Sequence, residues 1–219
     1  MKNIYGIYGA SGFGREVMPL ARRMLEKQLP AGSYELLFVD DGDDSGTKIN
    51  GHETMAYRQF LELRASTRNI CIAIANAAAR EEISTRCQRD GVSPYSVFAD
   101  SAVFLDANEI GPGSIFCSFS HVTSNARIGS HFHANIYSYV AHDCIVGNFV
   151  TLAPGAKING NVVLEDGAYI GTGAIIKQGA PGNPIIVGKG AIVGMGAVVT
   201  RSVNAGMTVV GNPAKPMGR

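Results

Sequence analysis

The sequence has no tryptophan, only four cysteines and only 17% charged residues in 219 positions. The cysteines are widely spaced and form no CxxC pair, which argues against a disulfide framework and favours reduced thiols in a cytoplasmic protein. A net charge of +1 with no lysine or arginine run disfavours nucleic-acid binding. No segment is apolar for long enough to cross a bilayer, and the N-terminal residues lack a signal-peptide core and cleavage site. We therefore expect neither nucleic acid nor membrane as a partner.

The second half of the chain has a repeat of six residues. Twelve apolar residues stand six apart: Ile110, Phe116, Val122, Ile128, Ala134, Val140, Val146, Leu152, Ile158, Leu164, Ile170 and Ile176. This period fits neither a helix nor a simple strand and is typical of a solenoid in which three hexapeptides form one coil. Coils stack at the strand spacing of roughly 4.8 Å, so residues eighteen apart become neighbours. The register also fits Val97 and Val103, with one residue inserted before Ile110, and resumes at Val187 after an interruption at 181–184.

The first part of the chain alternates predicted strands and helices. Strands are expected at 4–8, 34–39 and 69–75, and helices at 12–28, 56–63 and 78–89. This alternation predicts a small parallel sheet of the nucleotide-binding kind. The helical pattern stops at 91–94, so we predict two domains, 1–92 and 93–219.

A glycine-rich turn, Gly9-Ala10-Ser11-Gly12-Phe13-Gly14, joins the first strand to the first helix. Such a turn allows close backbone approach and places a helix N-terminus near a phosphate. Three strands are only half of a dinucleotide-binding sheet, which favours a mononucleotide over NAD, and a tight turn without a ligand is the alternative. The acidic run after the second strand includes Asp40 and Asp41, whereas Asp43 and Asp44 fit a solvated loop.

His142 is the strongest candidate for chemistry. It is the third residue of its repeat, so its side chain is expected to project from a corner of the solenoid. Asp143 follows it, and Gly160 lies eighteen residues later, one coil above. A glycine there leaves space for a substrate carbonyl and exposes a backbone N–H, so the three residues supply a base, an acid and an amide donor for acyl transfer. The alternative is a solvated corner histidine without a function.

These patterns together resemble the sugar acetyltransferases that join an α/β Rossmann-like N-terminal parallel sheet to a left-handed parallel β-helix of hexapeptide repeats. The resemblance rests on 139–147 around His142, on Gly9–Gly14, on Asp40-Asp41, on 72–76 with Arg80, and on the closing segment 210–216. Family members acetylate UDP-linked 4-amino-4,6-dideoxy sugars, GDP-perosamine or sialic acid.

The resemblance implies a role for each matching residue. His142 would be the general base, Asp143 would orient it, and the Gly160 amide would stabilise the thioester oxygen. The implied sugar contact is Asn135, and the implied nucleotide-sugar residues are Gly9, Ser11, Gly12, Phe13, Asp40, Asp41, Asn76 and Arg80. The implied acetyl-CoA residues are Thr151, Gly160, Gly171, Thr172, Gly194 and Gly196. Homotrimers with acetyl-CoA between subunits are also implied.

Thr151 departs from the family, many members of which have a second histidine there. A threonine hydroxyl can replace a hydrogen bond but cannot titrate near neutral pH. His131 and His133 have a metal-like spacing, but a metal site needs three or four convergent ligands, so we expect no metal. The function expected is acetyl-CoA-dependent N-acetylation of the C4 amine of a nucleotide-linked sugar, with UDP as the expected nucleotide. O-acetylation of sialic acid, a non-catalytic scaffold and an NAD oxidoreductase are the alternatives.

Overall fold

The computed structural model describes residues 1–42 and 46–217. Contacts divide the chain into two compact units, Met1–Asp100 and Ser101–Arg219. The predicted loop residues Asp43 and Asp44 lie outside the described residues, and the domain boundary between residues 92 and 93 stays a prediction. In the part of the chain that is described, none of the helices combines the length and apolar character needed to span a membrane.

The first unit is a six-stranded sheet with helices. Its elements are β1 (Lys2–Tyr8), α1 (Gly12–Gln28), β2 (Tyr34–Val39), β3 (Lys48–Ile49), β4 (His52–Met55), α2 (Tyr57–Glu62), β5 (Ala65–Ile72), α3 (Ala77–Arg89), β6 (Ser93–Pro94) and the short β7 (Val97–Phe98). The strand order is β3-β4-β2-β1-β5-β6, and every pair is parallel except β3 with β4. The chain order reverses between β1 and β5, and ligands of open α/β sheets bind at the carboxyl ends of the strands beside such a switch point.

The predicted strands and helices of this unit lie within a few residues of their expected positions. The helix over 12–28 and the strand over 34–39 match the observed bounds, and the β3–β4 hairpin is an addition that periodicity does not indicate. Helix α1 buries Val17, Met18, Ala21, Met24 and Leu25 at the spacing of one helical face. The hydrophobic pattern therefore defines the scaffold that carries the switch point.

The second unit is a parallel β-helix. Its strands are β8 (Val103–Phe104), β9 (Glu109–Ile110), β10 (Ile115–Phe116), β11 (His121–Val122), β12 (Arg127–Ile128), β13 (His133–Ala134), β14 (Tyr139–Val140), β15 (Ile145–Val146), β16 (Thr151–Leu152), β17 (Lys157–Ile158), β18 (Val162–Leu164), β19 (Tyr169–Ile170), β20 (Ile175–Ile176), β21 (Ile185–Val187), β22 (Ile192–Val193), β23 (Val198–Val199), β24 (Thr208–Val210) and β25 (Lys215–Pro216). They form three faces: β8-β11-β14-β17-β20-β23, β9-β12-β15-β18-β21, and one containing β10-β13-β16-β19-β22-β24-β25.

The observed register corrects one detail of the predicted repeat. Phe104 pairs with Val122, eighteen residues later, so the inward position is Phe104 and no residue is inserted before Ile110. Val103 is one of the exposed large apolar residues, whereas the Phe104 ring packs edge-on against Phe116 with 4.9 Å between centroids. A Val-Phe pair is apolar at both positions, so the sequence pattern does not tell which of the two points inward.

The corners of the coils are built by the fourth residue of each repeat. From residue 107 to residue 173 the fourth residue of each six-residue repeat has a left-handed backbone conformation: Ala107, Gly113, Phe119, Asn125, His131, Tyr137, Asp143, Phe149, Gly155, Asn161, Gly167 and Gly173. The small residue that follows is buried in the turn, as at Ser114, Ser138, Cys144 and Ala156. The turn at each corner thus requires a small residue at the fifth position, as predicted, and also a positive φ at the fourth position.

Candidate active site

His142 and Asp143 stand together on one corner of the β-helix. The Nδ1 atom of His142 lies 2.8 Å from Oδ2 of Asp143, and the two side chains are 59% and 48% exposed. Side chains of adjacent residues in a strand point apart, but Asp143 has φ of 59°, and this turn brings its carboxylate back to the imidazole. Because an aspartate can only accept from Nδ1–H, the lone pair of Nε2 is left to take a proton.

Gly160 lies directly against the imidazole ring. Val140 pairs with Ile158, and the Asn161 N–H donates to the His142 carbonyl over 3.1 Å, so His142 and Gly160 are on neighbouring coils. A Cβ atom built on Gly160 would be 2.5 Å from both Cε1 and Nε2 of the ring. The space that the missing side chain leaves is therefore filled by the imidazole itself, and not left open for a substrate carbonyl as the sequence suggested.

The missing side chain at Gly160 also changes the hydrogen bonding of the backbone N–H groups at this corner. At another corner, a side chain on the next coil accepts the backbone N–H of the residue eighteen positions before it. The Ser130 N–H donates to the Asn148 side chain, and the Asn148 N–H donates to the Asp166 side chain. Gly160 has no side chain, so it cannot accept the backbone N–H of His142 in this way. Across residues 1–42 and 46–217 no protein acceptor is found for the Gly160 N–H itself. At this corner Gly160 thus packs against the imidazole of His142, and its backbone N–H is a hydrogen-bond donor that no protein group of the described residues uses.

Asn135 and Thr151 are held by the β-helix. The Asn135 amide donates through Nδ2 to the Leu152 carbonyl over 2.9 Å, a bond between successive coils. Thr151 is buried in β16 between His133 and Tyr169 on the neighbouring strands. The sugar contact of Asn135 and the acetyl-CoA contact of Thr151 stay predictions, and the structure gives Asn135 a structural bond as well.

The other predicted acetyl-CoA residues gather at one corner, on two successive coils. Ile170 pairs with Val193, which places Gly171 beside Gly194, and the Gly196 N–H donates to the Thr172 carbonyl over 2.8 Å. A Cβ atom on Gly171 would be 2.6 Å from the backbone nitrogen of Met195. The close packing of the coils is therefore sufficient reason for glycine at Gly171.

This corner is not the corner of His142. Residues six apart in the repeat occupy different corners of the coil, and Thr172 is eighteen residues after Pro154 and thirty-six after Ile136, which is six before His142. His142 and Gly160 thus lie on one edge of the β-helix, and Gly171, Gly194 and Gly196 lie on another edge. One face of the β-helix separates the two edges. A single copy of the chain does not bring the two predicted sets of residues together.

In the glycine-rich turn at the carboxyl end of β1, some glycines are required by the backbone and one leaves open space. Gly9 has φ of 101°, a conformation that side chains rarely adopt, and a Cβ atom on Gly14 would collide with the Gly9 carbonyl. Ser11 is the N-cap of α1 but its hydroxyl makes no capping bond, and Gly12 has open space around it. Phe13 follows in α1. Gly9 and Gly14 thus serve the fold, and Gly12 leaves the helix N-terminus open.

Two predicted nucleotide-sugar residues, Asp40 and Asn76, make hydrogen bonds within the first unit. Asp40 accepts from the Ala10 N–H over 2.7 Å and from the Gly42 N–H over 2.9 Å, which ties the two loops together. The Asn76 side chain accepts the Ala79 N–H as the N-cap of α3. Their contacts with substrate stay predictions, and the structure shows both as organisers of the loops at the switch point.

Arg80 is also held inside the unit. It is fully buried and donates through Nη1 to the carbonyl of Ile74 over 2.6 Å and to that of Ala75 over 3.2 Å. Burial lowers the pKa of Arg80 to about 10. The guanidinium therefore fixes the loop that follows β5, and its predicted contact with a substrate stays a prediction.

A cavity of about 830 Å³, called here the α3 cavity, lies at this edge of the sheet. It is lined by Tyr8, Asp40–Gly42, Ile74, and residues 78, 79, 81–83, 85, 86 and 89 of α3. Its volume is within the range of small-molecule sites. The cavity brings the predicted residues Asp40 and Asp41 together with residues that the sequence analysis missed.

Arg86 is the most constrained of the missed residues. Its Nη2 donates to Asp41 over 3.1 Å and to the Tyr8 hydroxyl, and its Cζ lies 4.4 Å from the centroid of the Tyr57 ring. Asp41 also accepts from Tyr8 over 2.5 Å and from the Tyr57 N–H over 2.8 Å. Tyr8 ends a buried strand directly before the glycine turn, which is the one sequence signal that could have indicated this cluster.

The electrostatics of this cluster keep its charges in place. Burial acts to raise the pKa of Asp41, but the hydrogen bonds from Tyr8, the Tyr57 amide and Arg86 outweigh it and lower the pKa. Burial raises the pKa of Tyr8, and its hydrogen bond to Asp41 raises it further. Asp41 therefore stays ionised and Tyr8 stays protonated at neutral pH, so Arg86 keeps a charged acceptor.

The two histidines with metal-like spacing have other surroundings. The His131 ring stacks on Phe149 with 5.2 Å between centroids, and His133 is buried in β13. Within residues 1–42 and 46–217 no group of three or more His, Cys, Asp and Glu residues is placed to hold a metal ion. All four cysteines lie in the described part of the chain, are buried and form no disulfide, and burial raises the pKa of Cys144 to about 11.

Comparisons with known proteins cover nearly the whole chain. Residues 5–87 match the family described as the PglD N-terminal domain. A curated relative, GDP-perosamine N-acetyltransferase of Escherichia coli O157:H7, is 49% identical over 217 residues, which are 99% of this chain and 97% of that protein.

Two solved structures share the architecture of both units. WeeI from Acinetobacter baumannii AYE has a TM-score of 0.94 and 55% identity, over 99% of this chain and all of that chain. The acetyltransferase domain of PglB from Neisseria gonorrhoeae FA1090, in complex with acetyl coenzyme A, has a TM-score of 0.86 and 29% identity, over 99% and 100% of the two chains. The predicted fold class, a Rossmann-like domain followed by a parallel β-helix, is confirmed.

Proposed function

Because this chain belongs to the hexapeptide-repeat family of sugar N-acetyltransferases, we propose that it transfers the acetyl group of acetyl-CoA to an amine of a nucleotide-linked sugar. The observation that carries the proposal is the His142–Asp143 pair packed against Gly160. Acetyl-CoA is the acetyl donor, as the PglB domain was solved with it bound.

In the proposed reaction His142 is the general base. The sugar amine attacks the thioester carbon, a C–N bond forms, and Nε2 of His142 takes the proton that the nitrogen loses. Asp143 holds Nδ1–H over 2.8 Å, which keeps the ring in the tautomer with a free Nε2 lone pair and balances the imidazolium that forms. The C–S bond then breaks, and CoA leaves as a thiolate that is protonated to the thiol.

The Gly160 amide is proposed to stabilise the oxygen of the tetrahedral intermediate. Negative charge develops on the former thioester oxygen as the amine adds, and a fixed N–H donor stabilises that charge more than it stabilises the neutral carbonyl. Support comes from the position of this amide beside the imidazole, on the coil next to His142. Asn135 is proposed as the sugar contact.

The proposed acceptor is the C4 amine of a 4-amino-4,6-dideoxy sugar on a nucleoside diphosphate. The curated relative at 49% identity is named for GDP-perosamine, which supports GDP, whereas the resemblance in the sequence predicts UDP. The first unit would bind the nucleotide at its switch point, where Ser11, Gly12 and Phe13 begin α1 and leave its N-terminus open.

The test is an acetylation panel. Purified protein with acetyl-CoA is offered GDP- and UDP-linked 4-amino-4,6-dideoxy sugars and free sialic acid, and free thiol and product mass are measured. We expect thiol release and a mass gain of one acetyl group with a nucleotide-linked amino sugar. Transfer to sialic acid alone would favour the O-acetyltransferase alternative.

A thermal-shift measurement separates the enzyme from a non-catalytic scaffold. A ligand that binds the folded state stabilises it by mass action, so acetyl-CoA and a nucleotide should each raise the unfolding temperature. A scaffold would respond to neither, and a response to NAD instead would favour an oxidoreductase.

The site is proposed to be completed by a second copy in a homotrimer. The His142 corner and the Thr172–Gly196 corner are separated by one face of the β-helix, so acetyl-CoA would reach both only between two copies. Four apolar side chains are exposed along the edge that carries Thr172: Phe119, Ile136, Tyr137 and Met195. Exposed apolar groups collected on one edge are typical of a surface that a partner covers.

Sedimentation analysis tests the trimer. We expect the protein to sediment as three copies, and Tyr137→Asp to shift it towards monomer because a carboxylate would be buried at the interface. Ile145→Asp is the matched control, since Ile145 is also an exposed apolar residue but lies on the face formed by β9, β12, β15, β18 and β21. A monomeric parent protein, or equal effects of the two variants, would contradict the proposal.

A further inference from the structure

The charges around the α3 cavity indicate which part of a nucleotide it holds. Its lining carries four carboxylates, from Asp40, Asp41, Glu81 and Glu82, and two guanidiniums, from Arg86 and Arg89. An excess of carboxylates repels a diphosphate but provides acceptors for base N–H and ribose O–H groups. If the chain binds a nucleotide sugar as proposed above, the α3 cavity therefore holds the nucleoside and not the phosphates.

Arg86 lines this cavity, and its guanidinium is only partly used by protein groups. Its Nη2 is used by Asp41 and Tyr8, and Nε is buried without a partner. Within residues 1–42 and 46–217 no protein acceptor is found for Nη1. The Tyr57 ring supports the guanidinium plane at 4.4 Å. Its orientation is therefore fixed before any ligand arrives, which reduces the entropy lost on binding.

Glu82 lies one helical turn before Arg86 on α3. Residues four apart on a helix have Cβ atoms about 5–6 Å apart and face the same side. Both residues line the α3 cavity. The cavity wall thus has a cationic donor and an anionic acceptor on the same side of α3.

We propose that Arg86 and Glu82 select guanine, so that the nucleotide of the substrate is GDP. Guanine has two adjacent acceptors, O6 and N7, to which the Nη1 amino group of Arg86 can donate, and it has adjacent donors, N1–H and the N2 amino group, which match a carboxylate. Uracil has a single N3–H between two carbonyl oxygens, and these would face the carboxylate unfavourably. Adenine places its amino group next to N7, where it would face the guanidinium.

Calorimetric titration of the full chain with GDP, UDP and ADP tests this inference. The parent protein should bind GDP at least about 10-fold more tightly than UDP or ADP. Arg86→Lys and Glu82→Gln should each weaken GDP binding by about 10-fold or more and change UDP binding by no more than about 2-fold. Arg23→Lys, at an exposed position on α1, is the control and should leave both affinities unchanged.

Each result is decisive. A fall in the GDP-to-UDP affinity ratio in both variants supports the inference, whereas equal losses for the two nucleotides show that Arg86 only maintains the fold. Glu82 is exposed and its replacement does not disturb the Asp41 cluster, so it keeps the test valid if Arg86→Lys unfolds. Tighter binding of UDP than GDP by the parent protein would overturn guanine selection alone. No binding of any nucleotide would overturn the proposed function as well.

Discussion

His142→Ala is expected to lower kcat for acetyl transfer by about 10²–10⁴-fold, the usual contribution of a general base. The loss should be in kcat more than in KM, because Nε2 takes a proton only as the amine attacks. The side chain is 59% exposed and supports no core, so the unfolding temperature should change little. Steady-state kinetics by thiol release, with thermal unfolding of the same samples, measures both quantities.

His121→Ala is the matched control for this prediction. His121 is exposed, and it lies in β11, whose residues pair with those of β14 just before His142. It has an imidazole on the same face of the β-helix but no carboxylate like Asp143 beside it. Normal turnover in the His142 variant, or an equal loss in the His121 variant, would contradict the assignment of His142 as the base.

The solenoid and the neighbouring positions of His142 and Gly160 follow from the sequence because a coil has a constant length. Eighteen residues make one coil, so the spacing of two residues gives their distance along the stack. This arithmetic is reliable between residues 104 and 176, where the structure keeps the same register. It fails after Ile176, where Ile176 pairs with Val199 and an extra five residues form a loop.

The direction of individual side chains could not be predicted in the same way. The Asp143 carboxylate reaches the imidazole only because φ of Asp143 is positive, and no apolar period reports on a single dihedral angle. Similarly, Asp40 and Arg80 fit a nucleotide site by motif, but their hydrogen bonds to Ala10 and Ile74 depend on loops brought together by the sheet. Motifs locate the switch point, and tertiary contacts decide which of its residues face the cavity.

Gly160→Ala is expected to lower kcat by about 10²-fold or more, since a misplaced catalytic group costs that much. The added Cβ would be 2.5 Å from Cε1 and Nε2 of His142, so the ring must swing away and lose its 2.8 Å bond to Asp143. The backbone N–H of residue 160 stays in place. Because the displaced group is an exposed side chain, the unfolding temperature should be nearly unchanged.

A double variant separates the two roles of Gly160. If the alanine acts by displacing the imidazole, then Gly160→Ala should cause no further loss of activity in a protein that already has His142→Ala. If the alanine instead disturbs the amide donor for the intermediate, the two losses should multiply, since that donor works without the base. Full activity of the single Gly160→Ala variant would mean that the imidazole needs no support at this position. The double-variant cycle therefore tests whether one missing side chain on the neighbouring coil is what holds the base in its productive orientation.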